Sequence, residues 1–304
     1  MRVFISADIE GITTTTLWEE CNRTQAVYAA AAQQMTNEVK AACEGAIAAG
    51  AEFILVKDAH ASGTNLDIRQ LPRCVELIRS GCGHPYTMAY GVDQGFDAAM
   101  FIGYHSAAGR NGNPLSHTFS QKPFEVRLNG QLCSEFTLFS LVANYEKVPP
   151  VLLTGDKALC EENAGMYPLL KTVAVKEGFG SMTRSIHPEL ACERIKAAAQ
   201  AALTQDLSKG LIQMPEKFVF EITYKEHANA VSMSYYPGFA LVGERTIRME
   251  TSDYVDVVRA RCSWLTARTS CRAKFLTEHL LFSAFFRSSV VKPRCSSCFC
   301  NLAR

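Results

Sequence analysis

Two carboxylates stand on alternate positions near the start of this sequence. The chain begins MRVFISADIEGI, so Asp8 and Glu10 directly follow an apolar stretch that is typical of a buried strand. Because side chains alternate along a strand, we expect both carboxylates to point to the same side. Two like charges in this position repel each other unless a positive group lies between them. The pair therefore indicates a bound cation.

Two histidines and a third carboxylate stand in comparable places. His60 ends the apolar run FILVKDAH and His105 ends MFIGYH, while Glu135 follows a run with the Asn-Gly signal of a hairpin. Ligands of parallel α/β sheets bind beyond the carboxyl ends of the strands. We therefore expect both histidines at the same sheet edge as Asp8 and Glu10, with the hairpin supplying Glu135.

This combination of residue types favours zinc. Imidazole and carboxylate ligands together suit a borderline cation, zinc above all. A catalytic zinc ion takes about three protein ligands, so five predict two metal ions that share a carboxylate and a water. Each signal is weak by itself, because a histidine at a strand end is more often a structural residue and a D-x-E pair is often a turn or a helix cap. The coincidence of four such residues at three strand ends is what indicates a shared metal site.

The surrounding pattern predicts the elements that must position these side chains. Apolar strands at 2–8, 52–58 and around 100 alternate with an Ala-rich helix over 24–50, which indicates an α/β domain with a mostly parallel sheet. Further along, the pattern predicts a helix at 135–145, a strand entering at Pro149-Pro150, and a helix over 189–208. Alternating runs from 217 onward favour a smaller C-terminal lobe. 

Composition and charge limit which partners and which compartment are expected for this protein. The 304 residues carry a formal net charge of +1, which argues against nucleic acid or an anionic membrane as a partner. No apolar stretch is long enough to span a bilayer, and no targeting segment is evident, so the cytosol is the expected compartment. Scattered cysteines in such a protein are expected to be free thiols.

Five segments resemble, in order and with similar spacing, motifs of the zinc D-aminopeptidases encoded with bacterial dipeptide-transport operons. These segments are SADIEG, VKDAH, FIGYHS, PLSHT and NGQLCSEF. The last of them has Ser134 where the family usually has Gly before Glu. The resemblance runs from residue 1 to about residue 262.

This resemblance implies a dizinc aminopeptidase on a three-layer α/β/α sandwich, with a mostly parallel sheet and a smaller C-terminal α+β lobe. It implies two zinc ions per chain, a short peptide substrate with D-amino acids preferred, and a ring-like homo-oligomer. His117 matches a further active-site histidine that is proposed to take part in catalysis. The implied metal ligands are Asp8, Glu10, His60, His105 and Glu135.

The expected domains are an α/β metallopeptidase core over 1–215, a strand and helix lobe over 216–262, and an atypical tail over 263–304. The tail does not resemble the family and holds a Cys-x-x-Cys pair, Cys295 and Cys298, without a second such pair. We expect it to be a disordered or loosely helical extension, so that truncation after about residue 262 leaves activity intact.

Several readings stay open on sequence alone. A dinuclear metal phosphoesterase would use similar ligands, and a non-catalytic peptide-binding or metal-binding protein could retain the same site. Asp58 either orients His60 or is an ordinary polar residue at a strand end, and Asp156 suits a helix cap. Lys176 and Arg184 could meet a substrate carboxylate, although solvated surface is the commoner fate of such charges.

Overall fold

The strands form a seven-stranded sheet and a five-stranded sheet. The computed structural model describes residues 1–260, and the expectations for the tail lie outside them. The strands are β1 (Arg2–Ala7), β2 (Phe53–Asp58), β3 (Val75–Ile78), β4 (Ala98–Tyr104), β5 (Pro123–Leu128), β6 (Gln131–Leu132), β7 (Pro150–Asp156), β8 (Lys171–Phe179), β9 (Met182–Ser185), β10 (Phe218–Tyr224), β11 (Phe239–Gly243) and β12 (Thr246–Thr251).

α-Helices lie between some of these strands along the chain. They are α1 (Tyr28–Ala48), α2 (Glu135–Tyr145), α3 (Lys157–Asn163), α4 (Pro188–Leu203) and α5 (His227–Ser234), and residues 254–260 are also helical. No helix among residues 1–260 is long and apolar enough to cross a bilayer. The predicted helices at 24–50, 135–145 and 189–208 correspond to α1, α2 and α4.

The larger sheet has the strand order β3-β2-β1-β4-β7-β8-β9. All its neighbouring strands are parallel except β8 and β9, which pair antiparallel. The carboxyl ends of β1, β2 and β4 therefore meet at one edge, as the sequence predicts. A mostly parallel sheet of this kind requires helices on both faces, because each strand is buried from both sides.

Packing on the two faces is different. On one face, Val3 and Ile5 of β1 belong to a buried apolar cluster with Met35 of α1 and Ile195 of α4. On the other face, Phe101 of β4 packs against a ring of α2, with 5.2 Å between the ring centroids of Phe101 and Phe136. These two helix layers and the sheet form the predicted three-layer arrangement.

The second sheet is antiparallel, in the order β11-β12-β10-β5-β6. Strands β5 and β6 come from the hairpin at residues 123–132, so this sheet includes more of the chain than the lobe predicted over 216–262. Residues 1–262 form one compact unit. The predicted boundary between the core and the C-terminal lobe, at residue 215, therefore lies within that unit and stays a prediction. Asn129 and Gly130 have φ angles of 50° and 78°, as the predicted tight turn requires.

Candidate metal centre

His60 lies directly against the two carboxylates that follow β1. Its Nδ1 is 3.3 Å from Asp8 Oδ1 and 3.0 Å from Glu10 Oε2. The other ring nitrogen, Nε2, lies 2.9 Å from the backbone carbonyl oxygen of Cys21. That carbonyl can only accept a hydrogen bond, so it keeps a proton on Nε2 and directs Nδ1 toward the carboxylates.

His105 and His117 also place one ring nitrogen on a backbone carbonyl and the other toward the carboxylates, but in these two rings Nδ1 contacts the carbonyl and Nε2 faces the carboxylates. His105 Nδ1 is 3.0 Å from the Ser106 carbonyl oxygen, and its Nε2 lies 3.5 Å from Asp8 Oδ2 and 3.7 Å from Glu135 Oε2. His117 Nδ1 is 2.8 Å from a backbone carbonyl, and its Nε2 is 3.7 Å from Glu135 Oε1. The two imidazole rings stack with centroids 4.3 Å apart.

All three imidazoles therefore present one nitrogen to a cluster of three carboxylates. Metal-ligating histidines almost always donate their second ring N–H to a carbonyl or carboxylate in this way. The donor atoms form two groups, each with all its ligand atoms within 4.8 Å of one another, and the groups share His105. The groups are Asp8, Glu10 and His105, and His105, His117 and Glu135.

Two atoms of the centre lack the partners that burial requires. Glu10 Oε2 and His105 Nε2 are buried and receive no hydrogen bond from the described residues. An unsatisfied buried polar atom costs about 1–3 kcal/mol. A cation between the two side chains would satisfy both atoms, and the set of imidazole and carboxylate donors fits zinc.

The electrostatics of the centre point the same way. Burial and the charge of Glu10 raise the pKa of Asp8 to about 8. Burial alone would lower the pKa of His105, but contact with Glu135 and the charges of Asp8 and Glu10 raise it to about 10. Burial and the charge of His105 lower the pKa of His117. The carboxylates thus attract positive charge strongly, whether it is supplied by protons or by a metal ion.

Close backbone approach brings the ends of β1 and β4 together. The amide of Gly11 donates to the carbonyl oxygen of Gly103 at 2.8 Å. A Cβ atom at Gly11 would lie 1.8 Å from the Tyr104 carbonyl oxygen, and Gly103 has a φ of 72°. Glycine is therefore required at both positions, and the close contact between the two backbones holds the segment of Asp8 and Glu10 beside that of His105.

Glu135 is positioned by a helix start and by one strained residue. Ser134 is the N-cap of α2, and its hydroxyl accepts from the Thr137 amide at 3.1 Å. The Glu135 carboxylate accepts from the amide of Phe119 at 2.5 Å. Phe119 has a φ of 65°, which is unfavourable for a bulky residue and is typical of functional sites. Serine in place of the family's usual glycine is thus compatible with a well-formed helix start.

A sequence profile of the D-aminopeptidase family, peptidase family M55, matches residues 1–262. This chain belongs to the D-aminopeptidase family. A D-aminopeptidase of Bacillus subtilis strain 168 is 26% identical over 262 residues, which is 86% of this chain and 95% of the relative. The solved structure described as the Zn-dependent D-aminopeptidase DppA from Bacillus subtilis, a self-compartmentalizing protease, is similar with a TM-score of 0.82 and 25% identity. That likeness covers 89% of this chain and 99% of DppA.

The match to the D-aminopeptidase family confirms the resemblance that the motifs indicate, and the mostly parallel sheet confirms the predicted α/β fold. The structure also brings together all six side chains to which the resemblance assigns roles in this D-aminopeptidase site. Their individual roles stay predictions. Asp58 is buried and accepts hydrogen bonds from the backbone amides of Asn65 and Leu66, so it orders the loop after His60 rather than contacting the imidazole ring.

Asp156 and Lys176 are buried beside segments that carry the D-aminopeptidase site, whereas Arg184 lies on the surface. Asp156 caps α3, as predicted, by accepting from the Leu159 amide at 2.9 Å. The sequence favours solvated surface for Lys176 over contact with a substrate carboxylate, and this prediction is wrong, since the side chain is buried with only 3% exposed. Its strand, β8, was not recognised in the sequence, so the inward direction of its side chain could not be inferred. Arg184 is exposed and pairs with Glu177, as expected.

Proposed function

We propose that this chain is a dizinc aminopeptidase that releases N-terminal residues from short peptides and prefers D-amino acids. Membership of the D-aminopeptidase family supports the reaction, and the zinc dependence of DppA supports the metal. The observation that carries the proposal is the convergence of three carboxylates and three imidazole nitrogens at one place. A catalytic zinc ion takes about three protein ligands, so a donor set of this size suits two neighbouring metal ions.

The side chains that would hold the zinc ions are Asp8, Glu10, His60, His105 and Glu135. Three of the five are carboxylates, so two divalent cations would bring the net charge of the centre from about −3 to about +1. When bound, zinc polarises the scissile carbonyl and lowers the pKa of the attacking water. The carbonyl partners of His60 and His105 keep both rings in the orientation that ligation requires.

His117 is the proposed proton carrier. Its Nδ1 is held by the carbonyl of Leu115, so Nε2 carries the free lone pair and faces the centre. Burial and the charge of His105 lower its pKa, which keeps the ring neutral near pH 7 and able to accept a proton. The Trp18 ring packs edge-on against His117, with centroids 5.2 Å apart, and shields it from water.

Assembly and location follow from the relatives and the thiols. DppA is described as self-compartmentalizing, which supports a homo-oligomer for this chain, ring-like and enclosing the peptide-cleaving sites. The cysteines of the described residues are free. Free thiols persist in reducing compartments, so a cytoplasmic location is part of the proposal.

The test compares D-Ala-D-Ala with L-Ala-L-Ala as substrates of the purified protein, alongside its zinc content. We expect D-selective cleavage that disappears, together with bound zinc, in His105→Ala. His227→Ala is the matched control, because His227 is exposed at the start of α5 and should keep both properties. Hydrolysis of a phosphate ester without peptide cleavage would replace the proposal with a phosphoesterase. Zinc binding without any hydrolysis would leave a binding protein.

A further inference from the structure

Lys176 places a buried charge directly behind the proposed metal centre. It lies on β8, and its Nζ donates to the backbone carbonyl oxygen of Glu10 at 2.6 Å. The same ammonium group also donates to the carbonyl oxygen of Thr15. One side chain thus contacts both ends of the loop that follows β1 and carries Glu10.

Asn113 is a second donor to the same carbonyl. Its Nδ2 lies 3.0 Å from the Glu10 carbonyl oxygen and 3.3 Å from Asp156 Oδ2. Asp156 in turn accepts from the amide of Ser106 at 2.7 Å and from its hydroxyl at 2.5 Å. Ser106 directly follows His105, so a continuous chain of hydrogen bonds joins the segments of two proposed ligands.

One oxygen of the Glu10 carboxylate has no hydrogen-bond donor among the described residues to orient it. This oxygen, Oε2, lies 3.0 Å from a ring nitrogen of His60, itself a proposed ligand. A carboxylate whose oxygens are kept free for a metal depends on its backbone for position. Burying an ammonium group is costly unless it is well partnered, so its location against this carbonyl demands an explanation.

We propose that Lys176 is a positioning residue that fixes Glu10 for zinc binding through its backbone carbonyl, with Asn113 as the second donor. This inference rests on the proposed zinc site. Residues that orient metal ligands typically contribute 10- to 100-fold to metal affinity. Lys176 would therefore tune the metal centre without touching the metal or the peptide.

The chain offers a close control in Lys57. It is also buried, at 4% exposed, and its Nζ donates to two backbone carbonyls, those of Asp58 at 2.6 Å and Ser80 at 2.8 Å. Neither carbonyl belongs to a proposed ligand. Lys57→Met and Lys176→Met each remove an ammonium donor to two backbone carbonyls from a buried site, so a difference between them reflects the contacts of Lys176 with the loop that carries Glu10.

The experiment measures the zinc Kd of wild type and both variants by competition with a chelating dye, and the visible spectrum of the cobalt-substituted proteins. We expect Lys176→Met to weaken zinc binding by about 10- to 100-fold and to alter the cobalt spectrum. Lys57→Met should keep the wild-type Kd and spectrum. Thermal unfolding of the metal-free proteins shows how far each substitution destabilises the fold itself.

Equal zinc Kd values for wild type and Lys176→Met, or equal losses in the two lysine variants, would overturn the inference. If Lys176→Met does not fold, Asn113→Ala removes the second donor and must weaken zinc binding for the inference to stand. Failure of wild type to bind zinc would instead reject the proposed function, so the two failures are distinguishable.

Discussion

At the level of single residues, each imidazole of the candidate metal centre is oriented by a backbone carbonyl, and no sequence motif indicates these carbonyls. The carbonyl oxygens of Cys21, Ser106 and Leu115 each contact one ring nitrogen and leave the other facing the carboxylates. Backbone atoms carry no sequence signature, so these partners could not be predicted. The types of the ligands and their positions at strand ends could be predicted, because the apolar runs of the strands and the polar residues that follow them are visible in the sequence.

Substitution of His117 separates proton transfer from metal binding. His117→Ala should lower kcat by about 10²- to 10⁴-fold, because general acid–base catalysis contributes that much. Zinc content should stay at the wild-type level, since the five proposed ligands remain. Steady-state kinetics and metal analysis of the same preparation check this. Loss of zinc in this variant would mean that His117 is a ligand, as its place in a group with His105 and Glu135 allows.

At the scale of elements, the centre depends on how closely the ends of β1 and β4 approach. The predicted strands correspond to β1, β2 and β4, because long apolar runs with clear boundaries are the strongest signals in a sequence. Strands β8 and β9 were not recognised, since KTVAVKEGF and MTRS lack regular alternation. The inward side chain of Lys176 follows from tertiary contacts that the sequence does not display.

Gly11→Ala tests this close approach. The added Cβ would lie 1.8 Å from a carbonyl oxygen of β4, so the two segments must separate. We expect a loss of at least about 1–3 kcal/mol in the free energy of unfolding, together with weaker zinc binding. Urea titration and a zinc competition assay measure the two effects. Gly81→Ala is the control, because a Cβ there meets nothing within 4 Å. Wild-type zinc affinity in Gly11→Ala would show that the close contact between Gly11 and the end of β4 does not position the metal ligands.

At the scale of the whole molecule, the metal centre joins segments that are far apart in the chain. Its proposed ligands follow β1, β2 and β4 and begin α2, so metal bound there would connect much of the described part of the chain, residues 1–260. A ligand that binds only the folded state stabilises it by about 2.7 kcal/mol at 100 times its Kd.

Zinc should therefore raise the Tm of the protein, and a chelator should lower it. The same comparison in His105→Ala should show a much smaller shift, because a proposed zinc ligand is missing. Differential scanning calorimetry with and without added zinc measures both. An equal zinc-dependent shift in wild type and His105→Ala would place the metal elsewhere in the molecule.

The proposed function requires that two zinc ions at one site drive cleavage of D-amino acid peptides. The most direct measurement is a zinc titration of the metal-free protein, with D-Ala-D-Ala hydrolysis followed at each step. We expect activity to be absent without metal and to reach its plateau at about two zinc ions per chain. Full activity without zinc, or zinc binding to saturation with no cleavage of the peptide, would reject a dizinc aminopeptidase.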